Sequence, residues 1–554
     1  MNQLTSKILI LSVLILTNQI CQAGSATWVQ TPADNNWSNP SNWMPNTVPN
    51  STTDTATFGP SDITAISIQD SIDVASVTFQ PGASAYTLSL TNAKVLNLGG
   101  GAVSPSIINN SGVEQNFVAD GGLMVVHGTE TFDSTIHFDV LGNKTTEANS
   151  ELSFQGNLNL GTATIDVEGS DDSRFPAGEA ILGVGSTGGS SSIVLHRGVN
   201  NGFSGQLIFN GGFAGSANII AEGASVPGRG GGHIYFSVTD SAGTSTITLQ
   251  GPIEHGALGG SVEFELFTTA SASTLIADGG SIIFHYESKG GTSRIVLTHK
   301  GWLDISDLND LFTTEITIGS LEGDRTGKVF LGAKKLIVGS NNTSTIYSGV
   351  LRDVGGIHGG TGGSLEKIGT RTLTLTGANL YTGGTTVTSG DFLVANRSGS
   401  ATGTGLVQVD GGRIGGAGTM TGPLTIGTGS GTGAILIPAA GTKKEVTTTT
   451  EGTLTLKADA TYNCAVNTTT GASDSVVANG VTIDPNATFV LHAKGTGTLT
   501  PGTVVTSINN TAATPISGNF HGLTEGSTIV AGNNAWQVSY AGGDGNDLTL
   551  TVVL

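Results

Sequence analysis

The chain has almost no cysteine, little proline, few charges and no run of helix-forming residues. Two cysteines occur in 554 residues, and one of them, Cys21, lies in an N-terminal apolar segment. Cys464 is then alone, and one thiol makes no internal disulfide, so a folded chain of this size rests on backbone pairing and packing. Charged residues make up only 12%, and 42 Asp plus Glu stand against 22 Lys plus Arg. A net charge of -20 keeps a large particle soluble and disfavours nucleic acid or anionic lipid as a partner. Beyond the first 23 residues no segment approaches 18 consecutive apolar residues, so no later membrane helix is expected. Few stretches show a 3.6-residue period. What the chain has instead is 84 glycines beside only 15 prolines, with Val, Ile, Leu and Phe recurring at strand spacing. Disorder is therefore a poor reading, and the expected class is all-β.

Residues 1–23 read as a Sec signal peptide. Lys7 precedes the apolar run "ILILSVLILTNQI", and small residues surround a cleavage site after Ala23. A lipidated Cys21 is the alternative, but Asn18-Gln19-Ile20 lacks the small residues such a site favours. Residues 24–60 hold Trp28, Trp37 and Trp43 among Asn and Pro. They read either as an aromatic platform for carbohydrate or as the atypical terminal cap that a stacked array requires. From 61 to 310 short strands such as "STIHFDV", "HIYFSV" and "RIVLT" follow one another between Gly, Asn and Ser clusters. That spacing suits a solenoid or a series of sandwiches, and an internal repeat favours the solenoid. Asn201-Gly202-Phe203-Ser204-Gly205 before "QLIF" resembles Asn379-Leu380-Tyr381-Thr382-Gly383 before "GTTV".

The second of these phrases has a physical reading. Alternation in "TLTLT" sends Leu373 and Leu375 to one face and the threonines to the other. Gly383 and Gly384 permit tight or left-handed backbone. Asn379 is expected to sit in a corner with its amide paired to the next rung, and Tyr381 to stack on a neighbouring aromatic. A lone rung cannot bury its apolar face, so rungs must stack. At roughly 20–25 residues per rung the expectation is about two dozen rungs and a rod on the order of 100 Å.

"GSLEKIGTRTLTLTGANLYTGGTTVTSGDFLVAN" (363–396) closely resembles the autotransporter-associated β-strand repeat of bacterial passenger regions. The likeness covers about 310–440. It extends to "NWSNPSNWMPNTVPN" near the start and to "WQVSYAGGDGNDLTLTVV" near the end, and is only generic from 60 to 290. The resemblance implies an exported, elongated right-handed parallel β-helix with an N-terminal cap, a repeat region over 311–440 and a C-terminal β module over 441–554. It names no reaction. It implies a cell-surface or extracellular location, with the periplasm as alternative. The end of the sequence shows no translocating barrel, so a separate secretion partner is an open expectation.

No constellation of catalytic, cofactor-binding or metal-binding residues stands out, and no cofactor is expected. Gly542-Gly543-Asp544-Gly545-Asn546-Asp547 matches six positions of a calcium repeat, but in one copy, and a hairpin turn is simpler. Asp304, Asp307 and Asp310 converge only if their segment is a helical turn, and read better as the solvated side of a packed turn. Glu263 and Glu265 share a strand face at the spacing of a glycosidase pair, with nothing nearby to support that chemistry. Asp171-Asp172 reads as loop. The ten histidines are dispersed, with no zincin, nucleophile-elbow or phosphate-loop motif. Cys464 reads as a small buried residue, with His492 the nearest catalytic partner in sequence. The expected function is a non-enzymatic adhesin-like or structural surface protein, whose partner is an unknown surface or glycan. The alternative is a polysaccharide-acting or carbohydrate-binding β-helix. The distinct residues left to the repeat are those of its turn, Asn379, Tyr381, Gly383 and Gly384.

Overall fold

The computed structural model describes residues 24–100, 105–142, 149–308, 314–431, 433–440 and 444–553. The signal segment, with Cys21, lies outside them. Among the described residues helix is confined to one 3-10 turn, Pro40–Asn42, and everything else ordered is strand. The strands form a parallel β-helix. The chain climbs by coiling, and each strand pairs with the strand one turn earlier and one turn later.

Two long ladders run along the coil. The first starts at Ala26–Trp28 and continues through Ser51–Phe58 to Val350–Arg352; the second runs from Ala65–Ile68 to Thr488–Lys494 and contains eighteen strands. This second ladder is open. Its first strand pairs forward only, with Thr87–Thr91, and its last pairs back only, with Ala460–Asn467. A third, eight-stranded ladder begins at Glu315–Ile318. Before that point the third side is a corner joined by single bridges, Thr187 to Phe213 to Ser241 to Thr269 to Lys289.

Register fixes the rung length. Ser192 lies beside Asn218, Asn218 beside Thr246, Thr246 beside Thr274, Thr274 beside Arg294 and Arg294 beside Ser320, so successive turns take 26, 28, 28, 20 and 26 residues. These rungs are mostly longer than expected, and the last sixty residues leave the coil for a sheet with antiparallel strands. Eighteen strands at about 4.8 Å spacing make a coil of roughly 80 Å, shorter than the rod expected from the sequence.

The core lies inside the coil because the strands alternate. In Thr372–Leu375 the leucines are buried and the threonines half-buried, and the same inward–outward beat holds in Gln206–Asn210 and His233–Ser237. Parallel in-register pairing then stacks like on like. Phe209, Phe236, Phe264 and Phe284 form a column with ring centroids 4.3, 4.8 and 4.9 Å apart and planes within 11° of parallel. Those separations match the ladder spacing, so the rings ride one above another at the strand pitch.

The N-terminal end of the core is closed by the tryptophans. Trp28, Trp37 and Trp43 are at most 2% exposed, pack edge-to-face at 4.9–5.1 Å and cover Phe58. Each indole N–H donates to a backbone carbonyl, of Ile63, Pro49 and Trp37 respectively. This burial rules out the carbohydrate platform: no ring face is left for a sugar.

Candidate functional site

The repeat rung is built around a break in a ladder. Past Arg352 the first ladder has no strand until Thr419, in a different sheet. Asn379 fills this gap with its side chain. Its Oδ1 accepts from the Leu351 N–H at 2.9 Å, its Nδ2 donates to the Ala401 carbonyl at 2.6 Å, and its own N–H donates to Ser400 at 2.7 Å. A carboxamide has the same donor and acceptor as a peptide group, so one buried side chain ties together the rungs before and after it. Its partners are backbone groups rather than the stacked Asn that the sequence suggested. Tyr381 is fully buried and shares a hydrogen bond with Thr385 Oγ1 at 2.5 Å; among the described residues no aromatic ring stacks on it. Gly383 faces the Gly362 carbonyl, which a Cβ would meet at 2.1 Å, and Gly384 has φ of 95°. Lys367 was not singled out in the sequence, yet it is buried in the same region with its Nζ donating to the carbonyls of Ile368, Gly369 and Ser389. Burial pulls its pKa down to about 8.

The earlier phrase at Asn201 is not an equivalent rung. Phe203 is 43% exposed, with the Arg229 guanidinium 4.8 Å above its ring, and the strand that follows belongs to the first ladder rather than the third. The solenoid is right; that particular repeat is not its basis.

Two clusters of histidine and carboxylate lie on the outer surface. In one, Asp166 is held between His137 Nε2 at 2.9 Å and His196 Nε2 at 3.0 Å, with Asp139 3.2 Å from His137 and Arg197 pairing with Glu222 at 2.9 Å. Hydrogen bonds to Asp139 and Asp166 hold the His137 imidazole up at about 10, and the two histidines hold Asp166 well below the usual carboxylate range. This is a closed ion-pair network with its polar atoms in use.

The other cluster spans three rungs. Glu263 and Glu265 come from one turn, His285 from the next and Asp307 from the one after, because Phe264 pairs with Phe284 and Tyr286 bridges Leu308. Asp307 contacts His285 Nδ1 at 2.5 Å and His358 Nδ1 at 2.7 Å. His285 Nε2 lies 3.5 Å from Glu263 Oε2 and 3.9 Å from Glu265 Oε1, while His233 Nε2 lies 3.4 Å from Glu263 Oε1. Burial pulls His285 down, but Glu263 and Asp307 outweigh it and leave it at about 9; His233 and then His285 lower Glu263 to about 2. The two glutamates were visible in the sequence as a pair. Their histidine was not, because it becomes a neighbour only once "VEF" is laid over "IIF" in register.

The remaining candidates separate. Asp304 is a strand residue rather than part of a helical turn, and its carboxylate is taken by the N–H groups of Ser306 and Ile357. Asp310, with Leu311 and Phe312, lies outside the described residues. Gly542 and Asp547 close the antiparallel hairpin of Asn534–Gly542 and Asp547–Val552, and Asp547 accepts from the Asn510 N–H. Asp172 sits in a loop, paired with Arg174 at 2.8 Å. Cys464 is fully buried, its thiol pushed up to about 12 by burial, and it lies beside Leu491; His492 is exposed and lies beside Ala465. Neighbouring positions on a strand face opposite ways, so no thiol–imidazole pair exists.

Residues 365–394 match the model of the passenger-associated-transport-repeat. These residues form the rung around Asn379, so the match falls on buried architecture rather than on an exposed site. It makes the chain passenger-like in the autotransporter sense. Among solved structures, the crystal structure of the Haemophilus influenzae Hap adhesin is similar, with 10% identity and a TM-score of 0.23 over 90% of this chain. The chain spans 64% of that structure's length. No residue correspondence is drawn from so loose a superposition. No curated protein matches the chain. Among the described residues no helix is long and apolar enough to cross a membrane.

Proposed function

We propose that this is an exported passenger-like β-helix that works at the cell surface or outside the cell, by adhesion or by coating, and not by catalysis. The observation that carries the reading is the transport repeat lying in register within the coil, its Asn379 and Tyr381 buried as rung architecture. An acidic rod with many equivalent outer faces suits repeated weak contacts along its length, each raising the effective concentration for the next. A separate translocating partner and an unknown surface or glycan ligand belong to the same proposal. The glycan-binding alternative has lost its tryptophan platform.

Localisation tests it. Intact cells of the native organism are treated with protease and then fractionated. Loss of the protein from untreated-permeability cells supports surface display, and recovery from the medium supports the extracellular arm. Protection until the outer membrane is opened places the protein in the periplasm and sinks the adhesive reading.

A further inference from the structure

His285 is only 8% exposed, and its Nε2 is buried with no hydrogen-bond partner. That nitrogen is aimed at two carboxylates. The contact of Nδ1 with Asp307 fixes the Nδ1 proton on that side, which leaves Nε2 facing Glu263 and Glu265 at 3.5 and 3.9 Å. A lone pair facing two anions is repulsive unless positive charge lies between them. A shared proton draws such a pair in to about 2.7–2.9 Å, as it does between His137 and Asp166 in the neighbouring network at 2.9 Å. The wider gap suits something larger. A zinc-sized ion bound at about 2.0–2.1 Å to nitrogen and about 2.0–2.2 Å to oxygen holds tetrahedral ligands roughly 3.4 Å apart. The ligand atoms of Glu263, Glu265 and His285 all lie within 4.8 Å of one another. Behind them stands a carboxylate on the far imidazole nitrogen, the arrangement that orients metal-bound histidines.

We propose that Glu263, Glu265 and His285 bind one divalent first-row transition-metal cation, with Asp307 as the positioning residue behind the imidazole. The mixed nitrogen–oxygen donor set selects zinc, manganese or cobalt over soft thiophilic ions. His233, whose Nε2 is likewise buried without a hydrogen-bond partner, faces the other oxygen of Glu263 at 3.4 Å and steadies that carboxylate. Because the ligands come from two successive rungs, the ion is a cross-link between turns of the coil. The Asp166 network has the same residue types and carries no such proposal, since its imidazole nitrogens are hydrogen-bonded.

The test titrates zinc chloride into the purified exported chain and follows binding by calorimetry and by thermal midpoint. One ion per chain is expected, with a rise in midpoint. Glu265→Gln and His285→Gln should each weaken binding at least about tenfold, and Asp307→Asn by about 10–100-fold. Asp166→Asn should leave it unchanged. Absence of saturable binding at about 100 µM metal, or binding that survives both ligand substitutions, overturns the proposal. X-ray absorption on the zinc-loaded unmodified chain needs no variant to fold: a shell of one imidazole with carboxylate oxygens is expected. A shell of oxygens alone, or of two or more imidazoles, overturns it.

Discussion

The middle of the coil and its repeat region solve the same corner in different ways. Between Asn159 and Arg294 the turns are wide, and the corner before each second-ladder strand is a six-residue phrase: a bridging residue, a small residue, a left-handed residue, a spacer, a buried Ser or Ala, then the strand. The left-handed place is held by Gly161, Gly189, Gly215, Gly243, Ser271 and Gly291, all with φ between 51° and 64°. From Leu365 to Leu424 the turns take 20, 22 and 17 residues, and Asn379 joins rungs with its amide. The wide turns leave outer faces and loops that carry histidine, carboxylate and exposed phenylalanine. The narrow turns have little length beyond what closes the coil. Chemical variety therefore collects where the rung is long, and the region matched by the transport repeat is the plainest.

The comparison breaks most sharply at Asn379. Asn379→Ala leaves the Leu351 N–H and the Ala401 carbonyl buried without partners, at a cost of about 1–3 kcal/mol each. Hydrogen exchange of amides between 350 and 405 should quicken while the middle of the coil is unchanged, since repeats couple mainly to their neighbours. Exchange unaltered near Leu351 would show that the ladder gap is held by something else.

The wide-turn corner sharpens it next. Gly243→Ala puts a Cβ at left-handed φ, 2.4 Å from the Gly215 carbonyl, and should cost about 1–2 kcal/mol. Ser271→Gly at the equivalent corner relieves the same strain and should be neutral or stabilising by up to about 1 kcal/mol, its loss of the 2.8 Å bond to Ser241 offsetting part of the gain. Equal losses from both changes, read as shifts in thermal midpoint, would refute the shared corner.

The smallest effect is on pH. Asp166 is depressed in the folded chain, so its contribution is present above about pH 4 and is lost as pH falls further. His137 is raised to about 10, so its contribution is full below about pH 6.5 and is lost as pH climbs towards 10. The stability gap between the natural chain and Asp166→Asn should be widest between those limits, at about 1 kcal/mol for a network one-fifth exposed. A gap that is flat from pH 4 to pH 10 would disprove the coupling.

Strand class, inward Leu373 and Leu375, and the repeat region were legible because period-two alternation and a contiguous motif are local signals. The six-residue corner was not, because it recurs at intervals of 20, 26 or 28 residues and no fixed period exposes it. The likeness of Asn201 to Asn379 misled because similar letters served different corners. His285 was invisible beside Glu265 because contact across a rung depends on register, which no single strand contains.

Alternation along a strand is indifferent to a slip of two places, since inside stays inside. The phenylalanine column is not. Sliding Ser261–Phe264 by two positions against its neighbours would set Phe264 over aliphatic side chains and dissolve three ring-on-ring contacts at once. The column thus works as a vernier, distinguishing the one correct alignment from misthreadings that hydrophobicity alone would accept. It also holds Glu263 and Glu265 at the height of His285.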